Sequence, residues 1–479
     1  MLTRDEILAV VAQGPEAVLA LVETLQSHHA AALATLQARV KTLEDRLNQD
    51  SHNSHQPPSS DKPARKRTHS QRKRSGKPSG GQAGHPGQTL VQVAEPDHIM
   101  THTPETCGGC GQALDAVPVS ACERRQVFDL PKPRLEVTEH QARTKICPAC
   151  ATATSGAFPA AVTQPVQYGP RVKAIGVYLQ TYQLLPSERT AEALHDLFGV
   201  ALSEGTLDTS QTTAYTALAP VETAIGEALK KADVVHVDET GIRVENHLAW
   251  VHVLSTTQLT FYAWHRKRGG EALRAIGLVL LLLGRRVHDA WATYLTLPGL
   301  YALCNAHLLR ELTAIAEQTG QTWASRLAQL LRNMKAAVET AQAAGQTALG
   351  PRQLAGYEAA FSRLIAEGQR AHPAAPATGQ RGRVKQSPAY NLLARLVTHR
   401  VAVLAFLHDF RVPFDNNQAE RDLRMLKVKL KVSGCFRSPH GAARFCRIRG
   451  YISTLRKQKL PILDGLTSLF AGTPLMPQL

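Results

Sequence analysis

Residues 234–237 form a short apolar, β-branched run that ends on Asp238, Glu239 and Thr240. Strand-like runs follow at residues 248–254 and 259–265, which predicts a three-stranded meander with an acid on its first strand. Few folds accommodate this, because an unpaired carboxylate on a central strand is costly to bury. Metal coordination would satisfy Asp238; a salt bridge to Lys230 or Lys231 would also do so. The arrangement recurs downstream. Residues 271–283 read as helix, and a short strand at 286–288 then ends at Asp289. Another strand at 301–303 enters Cys304, Asn305, Ala306 and His307. Two carboxylates could thus meet across adjacent strand ends. Such a pair can hold divalent ions that activate a water or hydroxyl for attack at phosphorus. Magnesium suits oxygen ligands of this kind. Cys304 and His307 suggest a second zinc, but two ligands are too few for one.

A third acid follows a mostly helical stretch. Residues 321–365 are an Ala- and Leu-rich helix, 368–385 a loop, and 390–410 helix again. In residues 414–437, Asn416 and Asn417 suit a helix start, and Ala419, Leu423, Leu426 and Leu430 recur at helical spacing. Glu420 falls in the first turn, where an ionised carboxylate is favoured. Arg421, Arg424, Lys427, Lys429 and Lys431 come close behind. A structural salt bridge and a metal-binding carboxylate beside a phosphate-binding surface both fit this stretch.

The chain has 479 residues, too many for one ordinary core. Its net charge of +16 favours a polyanionic partner. Residues 1–49 read as one helix with a heptad seam at Leu33, Leu36, Val40, Leu43 and Leu47. It could pack on its own domain or pair with a second copy. Residues 50–90 are Ser-, Pro- and Gly-rich and read as disordered. Lys62, Arg65, Lys66, Arg67, Arg72, Lys73, Arg74 and Lys77 make this segment a candidate DNA arm. Cys107 with Cys110, and Cys147 with Cys150, form two close pairs that could supply four thiolates to a structural zinc. Residues 124–130 and 135–143 between them look like ribbon strands, with His98 and His102 as alternative ligands and Cys122 a bystander. In residues 156–230, a helix at 190–197, a turn with Gly199 and a helix capped by Ser203 match a helix-turn-helix; two ordinary packed helices match equally well. No N-terminal signal is visible, and the most apolar run, 276–283, is too short to span a bilayer, which predicts a cytoplasmic, nucleoid-associated protein and no membrane partner.

Taken together, these motifs resemble the DDE transposases of the bacterial insertion-sequence sixty-six family over nearly the whole chain. Residues 237–241, Val-Asp-Glu-Thr-Gly, resemble the motif of its first aspartate, here Asp238. Residues 288–291 and 304–307, with Arg310, resemble the block of its second, here Asp289. Residues 416–421, with Arg424, Lys427, Lys431, Ser433 and Gly434, resemble the block of its glutamate, here Glu420. Arg285 and Arg286 break the apolar strand expected before Asp289.

The resemblance implies an α/β chain with a ribonuclease-H-like core and a mostly helical insertion. A coiled-coil helix (1–49), a basic disordered arm (50–90) and a zinc ribbon (91–155) would precede it. The core would occupy residues 231–312 and 411–479, with the insertion at 313–410. The implied activity is cleavage of element ends and transfer of the 3′-hydroxyl strands to target DNA. Asp238, Asp289 and Glu420 would hold magnesium or manganese, with Asp238 touching both ions. His307, Arg310, Arg421, Arg424, Lys427 and Lys431 would contact DNA, although His307 and Arg310 could equally serve the core. Expected partners are double-stranded DNA, further copies of the chain and element-encoded accessory proteins. A metal-dependent nuclease on the same fold would cut without joining. A DNA-binding regulator would have no use for the three acids.

Overall fold

The computed structural model describes residues 3–50, 53–54, 90–376 and 384–479. The basic arm, including Arg65, Lys66, Arg67, Arg72, Lys73 and Arg74, lies outside the described residues. The N-terminal segment is two helices, α1 (Arg4–Val11) and α2 (Pro15–Leu47), rather than the single helix expected. Gly14, at φ 101°, and Pro15 separate them, since Pro tolerates only the first turn of a helix.

Strands β1 (Thr144–Ile146) and β2 (Ala153–Ser155) form a small antiparallel hairpin around the second cysteine pair. Residues 124–130 and 135–143, expected as strands, contain none. Val127, Leu130 and Val137 there are exposed, so no buried face rewards strand pairing.

Helices α3 (Pro170–Thr181), α4 (Ser187–Phe198), α5 (Glu204–Ala217) and α6 (Ala219–Lys231) follow. Gly199 closes α4 in the left-handed conformation, and the Ser203 hydroxyl accepts from the Thr206 N–H to cap α5. The core sheet then forms from β3 (Val234–Val244), β4 (His247–Ser255) and β5 (Thr260–His265), followed after α7 (Gly270–Ile276) by β6 (Arg285–His288) and, after α8 (Ala292–Leu295), by β7 (Tyr301–Leu303). Its order is β5-β4-β3-β6-β7. The first three strands are antiparallel, while β6 and β7 run parallel to β3. This is the ribonuclease-H-like architecture.

Four expectations are corrected here. First, β3 does not stop at Asp238; alternation continues through Ile242 and Val244, which are buried, so Asp238 is mid-strand. Second, residues 271–283 are not one helix. Gly277, at φ 74°, ends α7, and a 3-10 turn over Leu278–Leu281 follows. Third, Arg285 and Arg286 do not break β6. Arg286 is 1% exposed but donates to the carbonyls of Leu297 and Pro298, at 3.2 and 2.6 Å. Fourth, the insertion's helices are more divided than expected. They are α9 (Asn305–Thr319), α10 (Thr322–Ala343), α11 (Pro351–Ala371), α12 (Pro388–Thr398), α13 (Arg400–Val403) and α14 (Ala405–His408). Gly350 and Pro351 make one of these breaks.

The sheet is covered on both faces. Ile242, Val244, Val251 and Val253 pack against Ala419, Leu423 and Leu426 of α15 (Asn417–Val432). Val235, Val237 and Leu254 pack on the other side with Leu218, Ile225 and Leu229. Ile448 and Ile452 of α16 (Pro439–Lys457) join that second layer, beside Leu466 and Leu469 of α17 (Ile462–Phe470). Among the described residues, no helix is long and apolar enough to cross a membrane.

Candidate active site

The alternation of β3 decides which acid faces which layer. Val235, Val237 and Glu239 share one face; His236, Asp238 and Thr240 share the other, with Ile242. Asp238 therefore looks toward the layer that α15 covers, and Glu239 looks away.

The parallel partner strand supplies the second acid. β3 pairs with β6 in the register Val234↔Arg285, Val235↔Arg286 and His236↔Val287. Two residues further along both strands, Asp238 comes level with Asp289, just past the end of β6. Gly284 permits the approach: a Cβ there would lie 2.0 Å from the Ala232 carbonyl oxygen, so any other residue would force the strands apart. The Asp289 carboxylate accepts from the Trp291 N–H at 3.0 Å, which fixes the turn after the strand.

The third acid arrives with α15. Its N-cap, Asn416, uses no side-chain cap bond. Instead the buried amide crosses to β3, where Nδ2 donates to the Val237 carbonyl at 2.9 Å and Oδ1 lies 2.8 Å from His236 Nδ1. The Asn416 N–H donates to Cys304 Sγ at 3.1 Å. One side chain and one backbone group thus tie the start of α15 to β3 and to the end of β7. Glu420 sits one turn later and is bordered by His307 Nε2 at 3.9 Å and Arg310 Nη2 at 3.7 Å. Both distances exceed a hydrogen bond, and Glu420 Oε1 is buried with no hydrogen-bond partner.

The electrostatics bind these acids into one neighbourhood. Burial first, then the charges of Glu239 and Asp289, push the Asp238 carboxyl well above its ordinary range; Glu420 adds to the rise. The Glu239 N–H, donating to Asp238 Oδ1 at 2.8 Å, opposes it. Burial also raises Glu420, Arg310 opposes this, and Asp289 contributes to the rise. Glu239 is raised by burial but held by Arg268, whose Nε and Nη2 donate to Oε1 at 2.9 and 2.6 Å. The Arg268 guanidinium in turn lies over the indoles of Trp250 and Trp291. Clustered carboxylates, and an orphaned buried oxygen on one of them, suit a hard divalent cation with oxygen ligands. The three acids do not, however, bring one oxygen each within 4.8 Å of one another. Among the described residues, the His, Cys, Asp and Glu side chains that do form such a group are Cys304, His307 and Glu420.

Four of the five basic residues of α15, Arg421, Arg424, Lys427 and Lys431, form one exposed stripe, while Lys429 is half-buried over the Phe436 ring. Lys427 also donates to the Gly241 carbonyl at 3.2 Å.

The two cysteine turns repeat one design. Cys107 N–H donates to the Gln112 carbonyl and accepts, through its own carbonyl, the Gly111 N–H; Cys147 does the same with Thr152 and Ala151. Gly111 and Ala151 both take positive φ. Backbone N–H groups of Cys110 and Gly109 draw the Cys107 thiol below its ordinary range, and Thr152 does so for Cys150. These are features of a thiolate ligand. Among the described residues, no three of the four sulfurs lie within 4.8 Å of one another.

Sequence reasoning missed Asn416 as more than a helix start, and it set aside Cys304 and His307 for want of a third ligand. The Asn-Asn doublet before the helix was the available signal for the first. None existed for the second, because Glu420 lies far along the chain.

Comparison with known families adds three matches. The model described as the transposase IS66 family matches residues 165–444, more than half of the chain and all three acids. The zinc-finger binding domain of transposase IS66 matches residues 104–151, which include both cysteine pairs. A family of unknown function (DUF6444) matches residues 11–90. No curated protein matches the chain.

Proposed function

Because the chain belongs to the transposase IS66 family, we propose that it cuts the ends of its own insertion element and joins the freed 3′-hydroxyl strands to target DNA. Family membership carries DDE-type strand transfer in general; the assignment of ends, residues and metals is our reading. The observation that carries it is the shared level of Asp238 and Asp289 on the face covered by the Glu420 helix. Asp238, Asp289 and Glu420 would hold magnesium or manganese, which when bound activates the attacking hydroxyl and stabilises the leaving oxygen. Asp238, level with Asp289 and on the face that α15 covers, would serve both neighbours. Asn416 holds the Glu420 helix against β3. Arg268 keeps Glu239 paired on the opposite face. The exposed stripe of α15, with His307 and Arg310 beside it, would position the DNA backbone by binding its phosphates. The two cysteine turns would share one structural zinc and, with the basic arm, bind element ends rather than catalyse.

The test is strand cleavage and strand joining in magnesium on element-end duplexes, with a gel binding assay alongside. Asp238→Asn, Asp289→Asn and Glu420→Gln should each bind DNA normally yet lose roughly 100-fold or more of both activities, since a ligand contributes several kcal/mol of charge stabilisation. Glu239→Gln should retain most of both. Near-normal joining by any of the first three, with binding intact, removes that residue from the site. Cutting without joining by the wild type favours the nuclease.

A further inference from the structure

Glu420 has a different neighbourhood on each side. Toward β3 lie the charges of Asp238 and Asp289. Toward α9 it meets a thiol and an imidazole: Cys304 precedes the first residue of α9, and His307 lies three residues on, on the same face. One ligand atom from each of Cys304, His307 and Glu420 lies within 4.8 Å of the other two. The frame around them is built. Cys304 Sγ accepts the Asn416 N–H at 3.1 Å, and the Asn305 N–H donates to the Phe414 carbonyl at 3.0 Å, so the starts of α9 and α15 are held together. Sulfur, nitrogen and oxygen donors with a fourth position open are the ligand type of zinc, whereas magnesium requires oxygen.

We propose that Cys304, His307 and Glu420 form a zinc site that takes Glu420 away from Asp238 and Asp289, so that zinc reversibly stops strand transfer. The inhibitory half rests on the proposed role of Glu420 in catalysis; the binding half does not. A cysteine thiol ordinarily carries its proton at neutral pH. Zinc binding therefore forms a Zn–S bond, breaks the S–H bond and releases one proton to solvent. Arg310, 3.7 Å from Glu420, must swing outward as the cation enters. The site differs from the cysteine turns in holding one sulfur rather than four, and so should bind more weakly and exchange faster.

The experiment uses the full chain, with Cys304→Ser and His307→Gln as separate variants. Cobalt(II) is titrated as a spectroscopic stand-in for zinc, and bound metal is counted after desalting. The wild type should take up one more ion per chain than either variant and show an added visible band of a tetrahedral, single-thiolate site. Joining in magnesium is then measured against rising zinc, each protein relative to its own zinc-free rate. Half-inhibition of the wild type should need at least 10-fold less zinc than that of Cys304→Ser. Equal metal counts in all three proteins overturn the site. An extra ion in the wild type with no zinc effect on joining overturns the competition. A wild type that never joins ends in magnesium alone, yet binds the extra cobalt, counts against the transposase reading and leaves the zinc site standing.

Discussion

Asn416 does more than its place before a helix requires. Its Nδ2 donates to the Val237 carbonyl, which leaves Oδ1 as an acceptor, so His236 Nδ1 must carry the proton in that pair. Burial lowers the His236 pKa, in keeping with a neutral ring protonated at Nδ1. Asn416→Ala leaves the Val237 carbonyl and the His236 N–H without partners, at about 1–3 kcal/mol each. A loss of about 2–6 kcal/mol in urea unfolding is expected from these two vacancies, together with reduced joining. Unchanged stability would mean that the bridge does not hold α15. His252, opposite Glu239 on β4, makes a second test. Burial holds its pKa down to about 4, against an ordinary value of 6.5. Between those values the unfolded chain binds the additional proton. Stability is therefore fully present above about 6.5 and is lost as pH falls toward 4, by up to about 3 kcal/mol. His252→Phe should flatten that part of the stability profile, read as the wild-type-minus-variant difference across pH 4–7. An unaltered difference would place the acid sensitivity elsewhere.

At the scale of elements, α15 is where fold and function join. Its buried side, Ala419, Leu423 and Leu426, packs on β3 and β4, while Arg421, Arg424, Lys427 and Lys431 stay exposed. Replacing these four with Ala should weaken DNA binding evenly across sequences. The slope of log affinity against log salt should fall by about 0.9 for each phosphate that is no longer neutralised. An unchanged slope would show that the stripe does not meet DNA. This helix was legible in the sequence because its 3.6-residue period is written in residues that bury. The strands β3 to β5 were legible for a similar reason, with Val235, Val237, Val251 and Val253 fixing faces and register. What was not legible depended on residues distant along the chain. The meeting of Cys304, His307 and Glu420 depends on how the helical insertion returns the chain. The extension of β3 past Asp238 depends on a partner strand that accepts the acid. Residues 124–143 misled in the opposite way: β-forming residues occur there, but no second surface buries them.

At the scale of the whole molecule, the feature unaccounted for by the core is α2. The helix has 33 residues, and none is buried. Leu33, Leu36, Val40, Leu43 and Leu47 are 48%, 61%, 53%, 50% and 65% exposed, all on a heptad seam. Short coiled-coil seams are marginal alone. Completing the burial of such half-exposed side chains contributes about 1 kcal/mol each, so two facing seams of five would yield about 10 kcal/mol. Association costs about 4–15 kcal/mol in lost freedom of the two bodies, so the seam by itself should give a weak, concentration-dependent dimer. On the proposed function, holding two element ends would give such an interface a use, because DNA bound to both copies raises their effective concentration. Leu36→Lys with Leu43→Lys places charges at the centre of the seam without touching the core. Sedimentation equilibrium should then show the wild type shifting from monomer toward dimer with concentration while the double variant stays monomeric. Joining of two ends should fall in the variant, and cleavage of a single end should fall less. The same association in both proteins would assign the seam to another partner, such as an element-encoded accessory protein, and leave the pairing of ends to the DNA-bound core.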